Sequence, residues 1–385
     1  MKLLYFEMRK SWLKLSTLII LIILSCVNIY KANEYSKTNS IFPNINSEQR
    51  KVYYELYYNK LSGEITNDRI QLIQDMYFPL AEECSDMQYS TDYDKNTLTG
   101  YVFGDYYLFK KYIIPQVEYA YMYTQTSNVI SKKASENIDF YNKFENKYEI
   151  RKNKIIYNTY KDRFIPEYRL TEWVSIYFSY DFSSLLIILM LILGCCSVFS
   201  SETEKGMDIT INSINKRNNT INAKIISTLI YCLVLLIFFT TFDLIYIAAR
   251  YGIDGIFCPV YSVSMFQFCP FNFSIFIVIL IYLLCKLLVF FIIGLMCLLI
   301  SIFSKNTILS TVFSFLAAIG LITLNDKASN IFNPVGLLTI RNYISQLECS
   351  NIFGIPVLSL FINLLCGAIL IIILLLLNKK LAFRR

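Results

Sequence analysis

The sequence predicts an all-α polytopic membrane protein, with six transmembrane helices and a large, mainly helical extracellular domain between helices 1 and 2. Three observations point there. Only 17% of the 385 residues are charged, against about 25% in ordinary soluble chains, and 55% are hydrophobic. Mean hydropathy is +0.45. Six separate stretches approach the roughly 20 apolar residues that about 30 Å of hydrocarbon demands. Histidine is absent altogether, which removes the commonest general base and metal ligand. Ser-His-Asp triads, Cys-His pairs and HExxH zinc sites are therefore excluded.

The first span covers Trp12 to Tyr30 and follows a basic leader of Lys2, Arg9, Lys10 and Lys14. A signal peptide shares both features, but no A-x-A cleavage site follows, so the segment reads as a retained anchor. The second span covers Phe182 to Ser201 and the third Ala223 to Ala248. The fourth, Ser274 to Phe303, exceeds one crossing and is expected to tilt or to project into water. The fifth covers Thr307 to Leu324 and the sixth Gly354 to Leu377. The chain thus divides into 1–30 (N-terminus and first helix), 31–181, and 182–385 with the remaining five helices.

Orientation follows from the short loops. One side holds Lys2, Arg9, Lys10, Lys14, Lys205, Lys216, Arg217, Lys224, Lys305, Lys379, Lys380, Arg384 and Arg385, thirteen in all. The short loops opposite hold only Arg250, Lys327 and Arg341. The positive-inside rule places both termini of this multi-pass chain in the cytoplasm, and the Lys-, Asn- and Ile-rich composition points to a bacterial cell membrane. The net charge of +7 is then a topology signal, and nucleic acid drops out as a partner while membrane lipid stays.

The segment 31–181 is too long for a simple loop. It carries 22 of the 30 tyrosines, an aromatic load that argues for a packed domain. Apolar residues recur at helical spacing in Val52, Leu56, Tyr57 and Leu61, and again in Ile70, Ile73, Met76 and Tyr77. Gly63 separates the two, and Thr66 or Asn67 can cap the second. Further helical readings cover Tyr106 to Val129, interrupted at Pro115, and Asn137 to Tyr160. The tyrosine rows read as the half-buried skin of a small core.

Seven of the eleven cysteines lie in spans, and Cys84, Cys258, Cys269 and Cys349 face outward. Cys258 and Cys269 share one short loop and can pair, but four cysteines allow three connectivities. No metal-ligand spacing occurs. One charge, Lys286, lies near the middle of the fourth span, where it costs about 2.5–3.5 kcal/mol on insertion scales. It is expected to line a pathway or a subunit interface, the alternative being a snorkelling or protein-buried structural residue. Asp243 in the third span sits too high to be an obvious partner.

The second span ends in Val198-Phe199-Ser-Ser-Glu202-Thr-Glu204-Lys-Gly206, a polar stretch follows with Lys216 and Arg217, and Lys224 opens the third span. This loop, 202–222, resembles the coupling element of ABC-2 type transporter permeases. In that family a phenylalanine at the membrane surface precedes a Glu-x-Glu-x-Gly run, a short helix, a basic pair and a lysine heading the next span. Here Phe199, Glu202, Glu204, Gly206, Lys216, Arg217 and Lys224 fill those places, with the basic residues about one position early. Phe6-Glu7-Met-Arg-Lys10 resembles the Glu-x-x-Lys entry of such permeases. Six spans, a large segment after the first and an extracellular stretch at 325–353 resemble one branch of the family.

The resemblance implies the membrane-spanning subunit of an ABC exporter: no enzyme itself, paired with a second permease copy or paralogue and with an ABC ATPase subunit. No GxxxxGK[ST] occurs, so the chain has no P-loop of its own, and ATP and Mg would be used by the partner. Expected cargoes are an antimicrobial peptide, a lipid or a drug, with bacteriocin export or immunity as the setting. The alternative is a non-transporting membrane sensor or scaffold whose extracellular domain binds a ligand.

Overall fold

The computed structural model describes residues 2–39, 60–86, 97, 100–169, 171–207, 217–327 and 332–384. Where the surroundings offer no water, every backbone N–H and C=O must be paired within the chain, and the helix does this locally. Among the described residues six helices are long and apolar enough to cross a membrane: Leu15–Asn39, Glu172–Glu204, Asn218–Tyr251, Ile275–Phe303, Thr307–Asn325 and Ser359–Phe383. They are spans 1 to 6, and the chain is an all-α, multi-pass arrangement.

In chain order the helices are α1 (Lys2–Ser11), α2 (Leu15–Asn39), α3 (Asn67–Asp86), α4 (Val102–Leu108), α5 (Ile114–Lys143) and α6 (Lys147–Tyr160). Span 2 then comprises three pieces, α7 (Glu172–Ser179), α8 (Phe182–Cys195) and α9 (Ser197–Glu204). There follow α10 (Arg217–Tyr251), α11 (Ile275–Phe303), α12 (Thr307–Lys327), α13 (Arg341–Ile344) and α14 (Ser359–Arg384). The described residues also hold two small antiparallel pairs: β1 (Gly63–Glu64) with β2 (Glu167–Tyr168), and β3 (Cys349–Ile352) with β4 (Ile355–Leu358).

Span 2 is the most enclosed of the six, and spans 1 and 5 are the least. Spans 1 and 3 are held in register by polar side chains. Trp12 Nε1 donates to Ser227 Oγ at 3.1 Å, Asn28 Nδ2 donates to Asp243 Oδ1 at 2.7 Å, and the hydroxyls of Ser36 and Tyr251 meet at 2.7 Å. Each pair is separated by 215 positions. A constant offset means that α2 and α10 run parallel, so both begin at the same end of the bundle. Tyr231 of α10 stacks on Trp12 with centroids 5.0 Å apart and lays its ring across Gly194 of α8. A Cβ at Gly194 would stand 2.3 Å from that ring, so this crossing requires glycine.

At the opposite end of the bundle, α5 and α6 form an antiparallel hairpin. Asn146 accepts the N–H of Glu149 at 3.3 Å and starts α6, and Glu145 turns the chain at φ 51°. Arg163, 2% exposed, anchors this layer to the loop between spans 3 and 4. Its Nε donates to Asn272 Oδ1 at 2.7 Å and its Nη2 to the Cys269 carbonyl at 2.8 Å, between the rings of Tyr160 and Tyr261. Tyr123 stacks on Tyr261, and burial pushes its phenol up to about 12.

Several boundaries differ from the sequence reading. The helix expected from Thr66 or Asn67 is α3, with Thr66 Oγ1 accepting the Arg69 N–H at 3.4 Å. The helical pattern at 52–57 lies outside the described residues. The reading from Tyr106 to Val129 becomes α4, a π-turn at Phe109–Ile113 and α5, with Pro115 in the first turn of α5, where no N–H is needed. The reading from Asn137 to Tyr160 is two helices, because Asn146 caps a new one in mid-run. Span 2 begins ten residues earlier than Phe182. Span 6 begins at Ser359, because Phe353 and Gly354, at φ 50° and 78°, form the tight turn between β3 and β4.

Cys258 and Cys269 are both free thiols. Cys269 is buried, its Sγ accepts the Phe271 N–H at 3.5 Å, and burial pushes the thiol up to about 11. Cys258 instead faces Gly255, where its Sγ lies 3.5 Å from the position a Cβ would take. The two sulfurs serve different neighbours.

Candidate functional site

The functional residues expected at the end of span 2 are positioned by a break in that span. Between α8 and α9 the helical ladder is interrupted at Cys196. Its carbonyl accepts the hydroxyls of Ser200 at 2.7 Å and Ser310 at 2.8 Å. The freed N–H groups of Phe199 and Ser200 both donate to Ser301 Oγ, at 3.0 and 2.9 Å. Three backbone groups near the ends of helices α8 and α9 would otherwise go unpaired, and serines from α9, α11 and α12 satisfy them.

The far end of α9 is closed by Gly206 at φ 65°. The Gly206 N–H reaches the Thr203 carbonyl at 2.9 Å and the Met207 N–H reaches the Glu202 carbonyl at 2.9 Å. This pair of bonds is a Schellman cap, which needs a left-handed residue directly after the helix and so favours glycine. The Glu-x-Glu-x-Gly spacing therefore has a structural meaning: both carboxylates sit in the last turn of a capped eight-residue helix.

Glu202 is 5% exposed and receives two cations. Lys224 of α10 donates from Nζ to Oε2 at 2.5 Å, and Lys10, at the end of α1, donates to Oε1. Lys224 is 1% exposed, and its Nζ lies 4.1 Å from the centroid of the Phe199 ring. Glu7, 4% exposed, completes the group one turn before Lys10. Burial pushes the Glu7 carboxyl up, and the fields of Lys224 and Lys10 oppose that shift. The four charges sum to zero formally, with Lys10 the most exposed of them. One carboxylate thus clamps α1 to α9 and α10.

Glu204 acts separately. Its Oε2 accepts the hydroxyl of Thr307 at 2.9 Å and the Thr307 N–H at 3.4 Å, at the positive N-terminal end of α12. Two carboxylates two residues apart therefore bind α9 to three other helices. Arg217 opens α10, and Lys216 lies outside the described residues. The structure brings Glu7, Lys10, Phe199, Glu202 and Lys224 together, sets Glu204 and Gly206 beside them, and places Lys286 elsewhere.

Lys286, 3% exposed, belongs to a second polar centre. Its Nζ lies 4.2 Å from the centroid of the Tyr282 ring and feels the charges of Asp181 and Asp243. Asp243 is bonded to Asn28, and Tyr180 donates from its hydroxyl to Asn28 Oδ1 at 2.9 Å. Asp181 accepts the hydroxyl of Tyr282 at 3.3 Å. Spans 1 to 4 all contribute. Sequence reasoning placed Asp181 at the edge of the segment before span 2. The signal that it lies within the span was the apolar run Trp173 to Phe178 preceding it.

Among the described residues no group of three or more histidine, cysteine or acidic side chains could hold a metal ion. No protein-family model, no curated protein and no solved structure matches the chain.

Proposed function

We propose that the chain is the permease subunit of an ATP-driven ABC-2 type exporter, coupling a separate ATPase to outward movement of a peptide, lipid or drug. The observation that carries this reading is convergence. Glu7, Lys10, Phe199, Glu202 and Lys224 come from three stretches of sequence, each part of the motifs on which the resemblance rests, and they meet in one buried cluster.

On this reading that end of the bundle faces the cytoplasm and residues 40–171 lie outside the cell. A separate ATPase grips the loop after Gly206 and the start of α10, and a second permease copy completes the transporter. The clamp at Glu202 then gives a push on either α9 or α10 a stiff route into spans 2 and 3, while Glu204 extends it to span 5. ATP and Mg belong to the partner.

The test is purification of the tagged chain from its own membranes. A P-loop ATPase should accompany it, and ATP hydrolysis should respond to Glu202→Ala. Absence of any nucleotide-binding partner, together with indifference to Glu202→Ala, would sink the exporter reading. It would favour a sensor or scaffold, to which one observation lends support: a cavity of about 460 Å³ at the opposite end, whose lining includes Gln116, Tyr119, Glu167, Arg169 and Arg341.

A further inference from the structure

Span 2 is broken a second time, between α7 and α8, where Tyr180 takes an extended conformation (φ −90°, ψ 100°). A crevice of about 440 Å³ opens there between α2 and α8. That volume falls within the range of small-molecule sites, about 300–1,000 Å³. Asp181 lies in it, with Tyr35, Tyr180, Phe182 and Leu185 as walls. The rings of Tyr35 and Tyr180 stand 5.5 Å apart, tilted by 54°. At the mouth Lys31 and Glu34 pair at 2.7 Å and cancel each other's charge.

Charge accounting gives the sign of what fits. Behind Asp181 lie Asp243, 6% exposed, and Lys286, 3% exposed, so two carboxylates share one enclosed lysine. Arg341 also acts on Asp181, from α13, but its guanidinium is exposed and donates to Ser179 Oγ at 2.9 Å. One oxygen of Asp181 receives Tyr282, and the other has no partner among the described residues. That free carboxylate oxygen, set among aromatic and apolar side chains at the crevice, is the acceptor that favours a cation there. Aromatic faces beside a carboxylate are what hold an ammonium group away from bulk water.

We propose that this crevice binds an organic ammonium group carried on an apolar tail, with Asp181 as counter-ion, Tyr35, Tyr180 and Phe182 around the head and Leu185 against the tail. A free cationic amphiphile and an amine-bearing lipid headgroup share this chemistry. The site deepens the exporter reading by naming its cargo class, and it rests on that reading only for the word cargo.

The test is equilibrium binding of radiolabelled dodecyltrimethylammonium to the full chain in nanodiscs of uncharged digalactosyl lipid, with empty discs subtracted. Saturable binding is expected, weakened about tenfold or more by Asp181→Asn and by a smaller factor by Tyr35→Leu, with dodecanol failing to compete. Discs containing phosphatidylcholine separate the sources. Loss of amphiphile binding there assigns the site to lipid headgroups, unchanged binding assigns it to free amphiphiles, and both keep the ammonium chemistry. Equal binding by wild type and Asp181→Asn, or equal competition by dodecanol, overturns the proposal. No ATPase is present, so this result and the outcome of co-purification fail independently.

Discussion

The hydroxyl of Ser301 in α11 accepts the main-chain N–H of Phe199 in α9 at 3.0 Å, and the next N–H, from Ser200, at 2.9 Å. A side chain of span 4 thus substitutes for the helical turn that span 2 lacks. Ser301→Ala leaves two buried donors without an acceptor and is expected to cost about 1–3 kcal/mol. Thermal unfolding in detergent should register it, and Ser301→Thr should restore most of the loss. If Ser301→Ala unfolds with the wild type, the break is held by other means.

Glu202 and its two lysines should respond unequally. Lys224 is enclosed, so Glu202→Leu strands a buried cation and is expected to destabilise by about 3–5 kcal/mol, as is Lys224→Leu in reverse. The double replacement should be milder than the sum. Lys10 retains 29% side-chain exposure, and Lys10→Met should cost no more than about 1 kcal/mol. A double-mutant cycle read by chemical denaturation checks this ordering, and additive effects at 202 and 224 would count against the clamp.

Glu7 gives a pH signature. Burial pushes its carboxyl above the ordinary 4.5, so the folded chain holds that proton more tightly than the unfolded one. The stability this contributes is present at acid pH and is lost as pH rises from about 4.5 through the raised value. Glu7→Gln should therefore raise the melting temperature near pH 7 relative to wild type, with the gain shrinking toward pH 4. A gain of the same size at both pH values would show that packing, not ionisation, is responsible.

Gly206 tests the cap. Among the described residues nothing lies within 4 Å of where its Cβ would be, so Gly206→Ala is expected to cost what the left-handed backbone costs, about 1–2 kcal/mol. Gly206→Asn should cost less, because asparagine tolerates that conformation. Circular dichroism melts rank the three. If alanine proves neutral, the cap does not set the end of α9.

The spans were legible because their apolar runs are long and their neighbours carry the charge. The cluster at Glu202 was legible in part because the end of span 2 and the head of span 3 lie close in sequence, and the Schellman glycine marks the stop between them. Asp181 was not legible. An apolar run tells that a helix crosses, but a break in it depends on partners such as Tyr282 and Asn28, which are more than one hundred positions away. The bond between Asn28 and Asp243 escaped for the same reason, since only the register of α2 on α10 pairs them. The β3–β4 hairpin was hidden because its turn is Phe353-Gly354, without the asparagine or aspartate that usually announces such a turn.

Lys10 and Glu202 are separated by 192 positions in the chain. During synthesis α1 therefore emerges long before Glu202, the buried carboxylate that receives Lys10, exists. Leu3, Tyr5 and Phe6 remain exposed even in the finished fold, an oily edge beside Lys2 and Arg9. Such a helix can rest on an anionic bilayer surface while the ribosome works. The clasp closes only once span 3 has been delivered, so α1 waits for its lock until nearly two hundred further residues have followed it.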